Sequence, residues 1–371
     1  MDMRIERIIT GIELYVGHKI SAENTLLIFD EIQEVPKALS ALKYFNETAP
    51  QYQIVCAGSL LGVALHHGTS FPVGKVEFMD LYPLSFTEFM RAMGKERFVD
   101  LLEKGDFAMA TTFKQEYIDL LKHYYYVGGM PEVVQGFADN RDFNEAREIQ
   151  GRILAAYEQD FSKHAPNEIV PRIRMLWNSI PTQLTKENKK FIYGIIKEGA
   201  RAKDYEMALM WLTDCGLVHK VHRVTTPNIP LKAYEDLKAF KLFLVDVGLL
   251  GCMVRLNQTV LLDGNELFKE FKGALTEQYV LQQLKTLKGV EAYYWTNDRG
   301  NAEVDFLIDN GNEVIPIEVK AETNLKAKSL RTFYEKFNPK TAIRTSMTDY
   351  KQEDWLLNLP LWAVETINQA T

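Results

Sequence analysis

The first apolar residues fall at helical spacing. Ile5, Ile8, Ile9, Ile12 and Val16 share one face and predict a helix from roughly Asp2 to Val16. After the polar break Ser21-Ala-Glu-Asn24 comes Leu26-Leu-Ile-Phe29, a continuous apolar run that ends on Asp30-Glu31. A second run, Ile54-Val-Cys-Ala57, ends on Gly58-Ser59. Unbroken runs of this length suit strands buried on both faces of a parallel sheet. With a helix from about Pro36 to Glu47 between them, they predict a βαβ unit. Its polar residues emerge at the strand ends, where open α/β sheets hold their ligands.

From about Ser85 to Lys163 the period turns helical, interrupted at Val127-Gly-Gly-Met-Pro131. A second helical stretch, about Pro171 to Gly216, leads into the alternating segment Leu217–Val224 and the turn Thr225-Thr-Pro-Asn228. Helices followed by such a strand and turn predict a winged-helix arrangement. The last segment reads as a helix at Gly273–Leu287, strands at Glu291–Thr296, Glu303–Ile308 and Val314–Lys320, and a helix near Ser329–Phe337. The expected fold class is therefore α/β and multi-domain. Its parts are a βαβ sheet over 1–90, a helical lid-like segment over 91–165, a winged-helix module over 166–250 and a separate α/β domain over 251–371.

Composition narrows this picture. A length of 371 residues suits two or three domains, and 46% apolar with 25% charged residues is ordinary globular usage. The longest apolar run, Phe243–Val254, is short and broken by Asp246, so no membrane span is expected. The start carries acids and no apolar core of a signal peptide, and Cys56, Cys215 and Cys252 are scattered, so free thiols in the cytoplasm are expected. A net charge of −7 argues against a broadly nucleic-acid-coating surface but leaves room for a local basic groove.

The apolar strand delivering Asp30-Glu31 has the form of a Walker B element. There the Asp holds Mg²⁺ and the Glu polarises the attacking water, and Ser59 at the tip of the next strand is placed as a sensor of the γ-phosphate. Leu27-Ile-Phe-Asp-Glu-Ile-Gln-Glu-Val-Pro36, Cys56-Ala-Gly-Ser-Leu-Leu61, Ser70-Phe-Pro-Val-Gly-Lys75 and Leu81-Tyr-Pro-Leu-Ser-Phe86 together carry a wider likeness. They closely resemble a family of bacterial and archaeal AAA+-like ATPases, in which a P-loop core precedes a C-terminal module of nuclease-like fold. The resemblance departs at one point. A P-loop needs G-x-x-x-x-G-K-[ST]. Neither Gly74-Lys75 nor Gly94-Lys95 fits, because Thr69 and Phe89 stand five residues ahead and Val76 and Glu96 follow. The expectation is a family member lacking the P-loop part, which binds ATP and Mg²⁺ only if a P-loop is supplied upstream and does not hydrolyse ATP by itself.

A second constellation lies in Ala302-Glu-Val-Asp-Phe-Leu-Ile308, Asp309-Asn-Gly-Asn312 and Glu313-Val-Ile-Pro-Ile-Glu-Val-Lys320. Asn-Gly between alternating runs signals a hairpin. With Asn310-Gly311 as a two-residue loop, 305 faces 316 and 303 faces 318. One face is then apolar and the other carries Glu303, Asp305, Glu318 and Lys320, with Asp305 and Glu318 as diagonal neighbours able to share Mg²⁺. Pro316 implies a bulge or an unpaired edge. Asp, a gap and Glu-x-Lys across a hairpin resemble the PD-(D/E)XK nuclease superfamily. The likeness implies a restriction-endonuclease-like domain in which Glu277 of the preceding helix completes the site. Under it, Glu277, Asp305 and Glu318 hold the metal and Lys320 assists cleavage of nucleic acid, DNA being favoured. The alternative is a non-catalytic module that binds nucleic acid or a protein partner. Lys220, Arg223, Lys232, Lys238 and Lys241 around the wing are read as a solvated surface or phosphate contacts, and Lys326, Lys328, Arg331 and Lys336 as escorts of a phosphate backbone.

Overall fold

The computed structural model describes residues 4–58, 74–186, 190–263, 269–297, 300, 302–321 and 327–370. The chain divides into two compact units, one of residues 1–81 with 210–217 and the other of residues 82–209 with 218–371.

In the first unit, α1 (Ile5–Val16) stops at Gly17, whose left-handed φ of 79° lets its N–H close on the Glu13 carbonyl. It is followed by β1 (Leu26–Phe29), α2 (Pro36–Thr48) and β2 (Gln53–Cys56), and β1 pairs with β2 in parallel, so the βαβ unit is present. Ile5, Ile9, Leu27, Phe45 and Ala49 form one core, with Ile8, Phe29 and Ile54 against it. Both helices thus cover the same face. On the opposite face Leu26, Ile28 and Val55 remain 53%, 65% and 51% exposed, which corrects the expectation of strands buried on both sides among the described residues.

The second unit begins with helices α3 (Phe86–Ala92), α4 (Glu96–Glu103), α5 (Phe107–Thr112), α6 (Lys114–Val127), α7 (Pro131–Asn140) and α8 (Phe143–His164). Then come α9 (Val170–Leu184), α10 (Tyr193–Ile196) and α11 (Ala202–Asp214), the last belonging to this unit as far as Leu209. The rest of the chain supplies β3 (Val218–Val224), β4 (Glu235–Leu244), α12 (Val247–Met253), α13 (Gln258–Asp263), α14 (Lys269–Thr286), β5 (Tyr293–Thr296), β6 (Glu303–Asp309) and β7 (Val314–Val319). It ends with α15 (Lys328–Phe337), β8 (Ile343–Ser346), β9 (Lys351–Gln352), β10 (Leu357–Pro360) and α16 (Ile367–Ala370).

The strands make a sheet of order β4-β3-β5-β6-β7-β8-β10-β9. The hairpin expected to be a wing is therefore the edge of this sheet, because β3 pairs in parallel with β5 through Arg223 and Tyr294. The expected boundary at 250–251 falls inside α12, and the sheet runs across it. Trp295, Val304 and Leu307 pack with Leu330 and Phe333 of α15 in one core cluster.

The interruption at Val127-Gly-Gly-Met-Pro131 is a junction. Gly128 has φ 75° and ψ −164°, and a Cβ there would lie 2.2 Å from Asp246 Oδ1. Gly129 N–H donates to Asp246 Oδ2 at 2.7 Å, and the same carboxylate caps α12 through Leu249 N–H at 2.9 Å. Gln282 of α14 donates to it at 3.0 Å and to Tyr124 Oη at 2.9 Å. Burial pushes the Asp246 carboxyl up, and these donors oppose that shift.

Candidate active site

The site is set by α14, a helix buried nearly all round, and its glutamines explain how it is held. Gln278 accepts from Leu244 N–H at 2.9 Å and donates to the Leu244 carbonyl at 2.6 Å, acting as a strand partner at the end of β4. Gln282 accepts from Val247 N–H, and Gln283 accepts from Phe86 N–H. Buried amides with this many partners lock a helix in rotation and translation. Glu277, next to Gln278, is thereby fixed facing the sheet with 4% exposure.

The β6–β7 hairpin has a four-residue loop, not the expected two-residue one. Asp309 pairs with Val314, and Asn310 N–H donates to the Glu313 carbonyl at 3.3 Å. The Asn310 side chain accepts from Asn312 and Glu313 N–H, both at 3.0 Å, and Gly311 takes φ 83°, so the asparagine stabilises the longer turn. The register moves by two residues. Because side chains alternate with period two, this keeps Asp305 and Glu318 on a common face while bringing Asp305 across from Glu318 instead of diagonal to it, as Phe306 opposite Ile317 requires. Asp305 Oδ2 accepts from Val319 N–H at 2.8 Å. Pairing of β7 with β8 begins at Ile317, so Pro316 needs to satisfy only β6, the unpaired-edge position expected of it.

Glu277, Asp305, Glu318 and Lys320 are brought together, and Glu303 and Lys241 join them. Lys320 Nζ donates to Glu318 Oε1 at 2.6 Å, with side chains 30% and 7% exposed. Burial lifts the Glu318 carboxyl above its ordinary range, Lys320 working against that and Glu277 adding to it. Burial also works to lower the Lys320 ammonium, but Glu318, Asp305 and Glu277 more than offset it and hold it charged. Lys241 was expected on an exposed wing; β4 is instead the edge strand of the sheet, and its Ala239–Leu244 half is buried. Its Nζ lies 2.5 Å from Glu303 Oε1 and 3.7 Å from Glu277 Oε2, with no side-chain exposure. Desolvation opposes its charge, yet Glu303, Glu277 and Asp305 raise its pKa. A lysine inside the buried stretch Ala239–Leu244 was the available signal, since a charge there needs a counter-charge.

The donor chemistry suits a hard divalent cation, because Glu318 Oε2 is buried without a hydrogen-bond partner among carboxylate neighbours. Among the described residues, however, no three acidic, histidine or cysteine side chains are gathered as a ready ligand set. The positive charges beside these carboxylates include the two ammonium groups and Arg344, which lies across from Glu318 in the β7–β8 pairing.

At the end of β1, Asp30 and Glu31 are exposed. Glu31 has a left-handed φ of 48°, its N–H donates to Asp30 Oδ1 at 3.0 Å, and Gln33 donates to its carboxylate. Ala57 N–H to the Phe29 carbonyl at 2.8 Å and Ile32 N–H to the Ala57 carbonyl at 3.1 Å fix this corner beside the end of β2. Ser59 lies outside the described residues, as does Lys326. No helix among the described residues is long and apolar enough to cross a membrane.

Three family models match successive stretches: an AAA domain over residues 2–90, a domain of unknown function (DUF8612) over 118–260, and a domain of unknown function (DUF4143) over 272–364. Neither the curated proteins nor the solved structures include a match. The first segment is thus AAA-type and ATPase-related, and with the C-terminal match it supports an AAA-like, ATPase-associated relationship for the chain.

Proposed function

We propose that the second unit is a Mg²⁺-dependent phosphodiesterase acting on nucleic acid, DNA in the first instance. The observation that carries this is the convergence of Glu277 from α14, Asp305 from β6 and Glu318 with Lys320 from β7, with one buried carboxylate oxygen of Glu318 left without a hydrogen-bond partner. Glu277, Asp305 and Glu318 would hold the ion, which when bound supplies an activated water and offsets negative charge on the phosphate. Lys320 is the one ammonium of the cluster with solvent access, so it can turn from Glu318 toward a phosphate oxygen as negative charge builds there. Val319 N–H keeps Asp305 pointed at the cluster while this happens.

The test is cleavage of plasmid, linear duplex, single-stranded DNA and RNA with Mg²⁺ or Mn²⁺, beside Asp305→Ala and Lys320→Ala. Cleavage lost in both variants supports the reading; a wild type inert on all four substrates refutes it. The second reading is a non-catalytic nucleic-acid or protein-binding regulator. It is favoured by the ion pairs Lys241–Glu303 and Lys320–Glu318, which satisfy much of the cluster's charge internally. For the AAA-type segment we propose that Asp30, Glu31 and Ser59 serve ATP and Mg²⁺ only with a P-loop upstream, so the sequence printed here should not turn over ATP by itself.

A further inference from the structure

Charge is spread unevenly along the chain. Residues 163–203 hold nine lysines and arginines against three acids, within a chain whose net charge is −7. Helices α9 and α11 of this stretch meet where Tyr205 Oη donates to Met175 Sδ at 3.8 Å, and the Tyr193 ring of α10 lies 6.2 Å from that of Tyr205. Arg172 stands one turn before Met175 and Arg201 one turn before Tyr205, so both flank this contact. Lys197 directly follows α10, and Lys203 lies in the first turn of α11. All four cations are exposed, and among the described residues no carboxylate pairs with any of them. Helix stability does not account for the placement, because acids and not cations suit a first turn. The first turn of α9 holds Arg172 and no acid, and Arg201 and Lys203 bracket the start of α11, where Asp204 is the one acid. This surface is tied to the sheet that bears the acid cluster. Phe191 N–H donates to the Phe240 carbonyl at 2.8 Å and the two rings stack at 5.2 Å, one residue from Lys241.

We propose that Arg172, Lys197, Arg201 and Lys203 form a surface that grips the phosphate backbone of a nucleic-acid duplex, apart from the acid cluster. This deepens the reading above and rests on it only for the class of ligand. Exposed, unpaired cations spread over two helices and the turn before the second are complementary to a polyanion of regularly spaced charges. The contacts are to phosphates and are indifferent to base sequence. The cluster cannot supply this grip itself: Lys241 has no side-chain exposure, Lys320 is paired with Glu318, and the carboxylates repel phosphate. A net acidic protein therefore needs a separate cationic surface to hold such a ligand.

The experiment is fluorescence anisotropy of a short labelled DNA duplex with the full chain in EDTA, over about 50–200 mM salt, so that neither metal nor cleavage enters the readout. The patch variant combines Arg172→Gln, Lys197→Gln, Arg201→Gln and Lys203→Gln. The control combines Arg97→Gln, Lys104→Gln, Lys288→Gln and Lys340→Gln, exposed cations elsewhere with the same change of charge. Four phosphate contacts steepen the dependence of log affinity on log salt by about 3–4, which is a loss of about 100-fold across that range. The patch variant should lose that part of the slope while the control follows wild type. A wild type that does not bind, or a patch variant with the slope of the control, overturns the proposal. Binding to phosphatidylcholine vesicles containing phosphatidylserine, with none to the duplex, assigns the cations to a membrane surface and also overturns it. The two readings fail separately. Duplex binding through the patch without cleavage in Mg²⁺ keeps this surface and removes the phosphodiesterase, whereas cleavage with an unchanged slope in the patch variant removes this surface alone.

Discussion

Substituting alanine at Gly128 tests the junction that holds α14 in place. At φ 75° and ψ −164° the backbone is in a region open essentially to glycine, and strain there costs about 1–3 kcal/mol for any other residue. The new Cβ would also stand 2.2 Å from Asp246 Oδ1. Asp246 cannot simply swing aside, because Gly129 N–H, Leu249 N–H and Gln282 hold it at 2.7, 2.9 and 3.0 Å. Opening a normal contact distance breaks at least one of these bonds, at about 1–3 kcal/mol. The sum is roughly 2–6 kcal/mol, a large share of the ~5–15 kcal/mol that stabilises a typical domain. Urea unfolding followed by tryptophan fluorescence is the assay, since Trp177, Trp295, Trp355 and Trp362 all lie in the second unit. A slope of about 2–3 kcal/mol/M turns that loss into a midpoint roughly 0.7–3 M lower. Gly151→Ala is the control: Gly151 is exposed in α8 with nothing near its Cβ, and alanine there should stabilise by about 0.5–1 kcal/mol. A Gly128→Ala midpoint equal to that of wild type would refute the reasoning.

Burial, aided by Lys285, pushes His219 down to about 4, so the folded state prefers the neutral ring. Its stability contribution is complete above pH 6.5 and is lost as pH falls from there toward 4, by about 3 kcal/mol in all; His219→Gln should flatten the fall in melting temperature over that window, and an unchanged slope counts against it. Thr87 donates to half-buried Glu365 through both N–H (2.8 Å) and Oγ (2.7 Å), so Thr87→Val, which removes the hydroxyl bond, should cost about 1.5–3 kcal/mol in urea unfolding, whereas exposed Thr112→Val should cost little. Ser85 and Glu88 form a reciprocal cap on α3, and Ser85→Ala should lower stability by about 1 kcal/mol in the same assay, a loss that Ser85→Thr, which keeps the hydroxyl, largely avoids.

The parts of the fold legible in the sequence were those set by local period. Apolar runs located β1 and β2, and alternation set Asp305 and Glu318 on a common face of β6 and β7. That assignment survived a two-residue error in register because the error was even. Turn length was misread because Asn310-Gly311 fits a two-residue loop, while the Asn310 side chain bonds two residues further on. Lys241 could not be placed from local pattern: its contact with Glu303 follows from the pairing of Arg223 with Tyr294, 71 residues further on in the sequence. The bare face of β1 was missed for a related reason, since nothing local tells a strand whether its helices cover one side or two.

The continuous sheet makes the acids and their lysine joint property of two stretches of gene. Lys241 falls within the match over 118–260, and Glu277, Asp305, Glu318 and Lys320 within the match over 272–364. Recombination that moved the second stretch alone into a new protein would strip β3 from the flank of β5 and leave Glu303 and Glu277 with a charge debt in the interior. The two stretches can therefore drift separately at their surfaces but must travel together, and an expression fragment meant to retain this site has to begin before Val218.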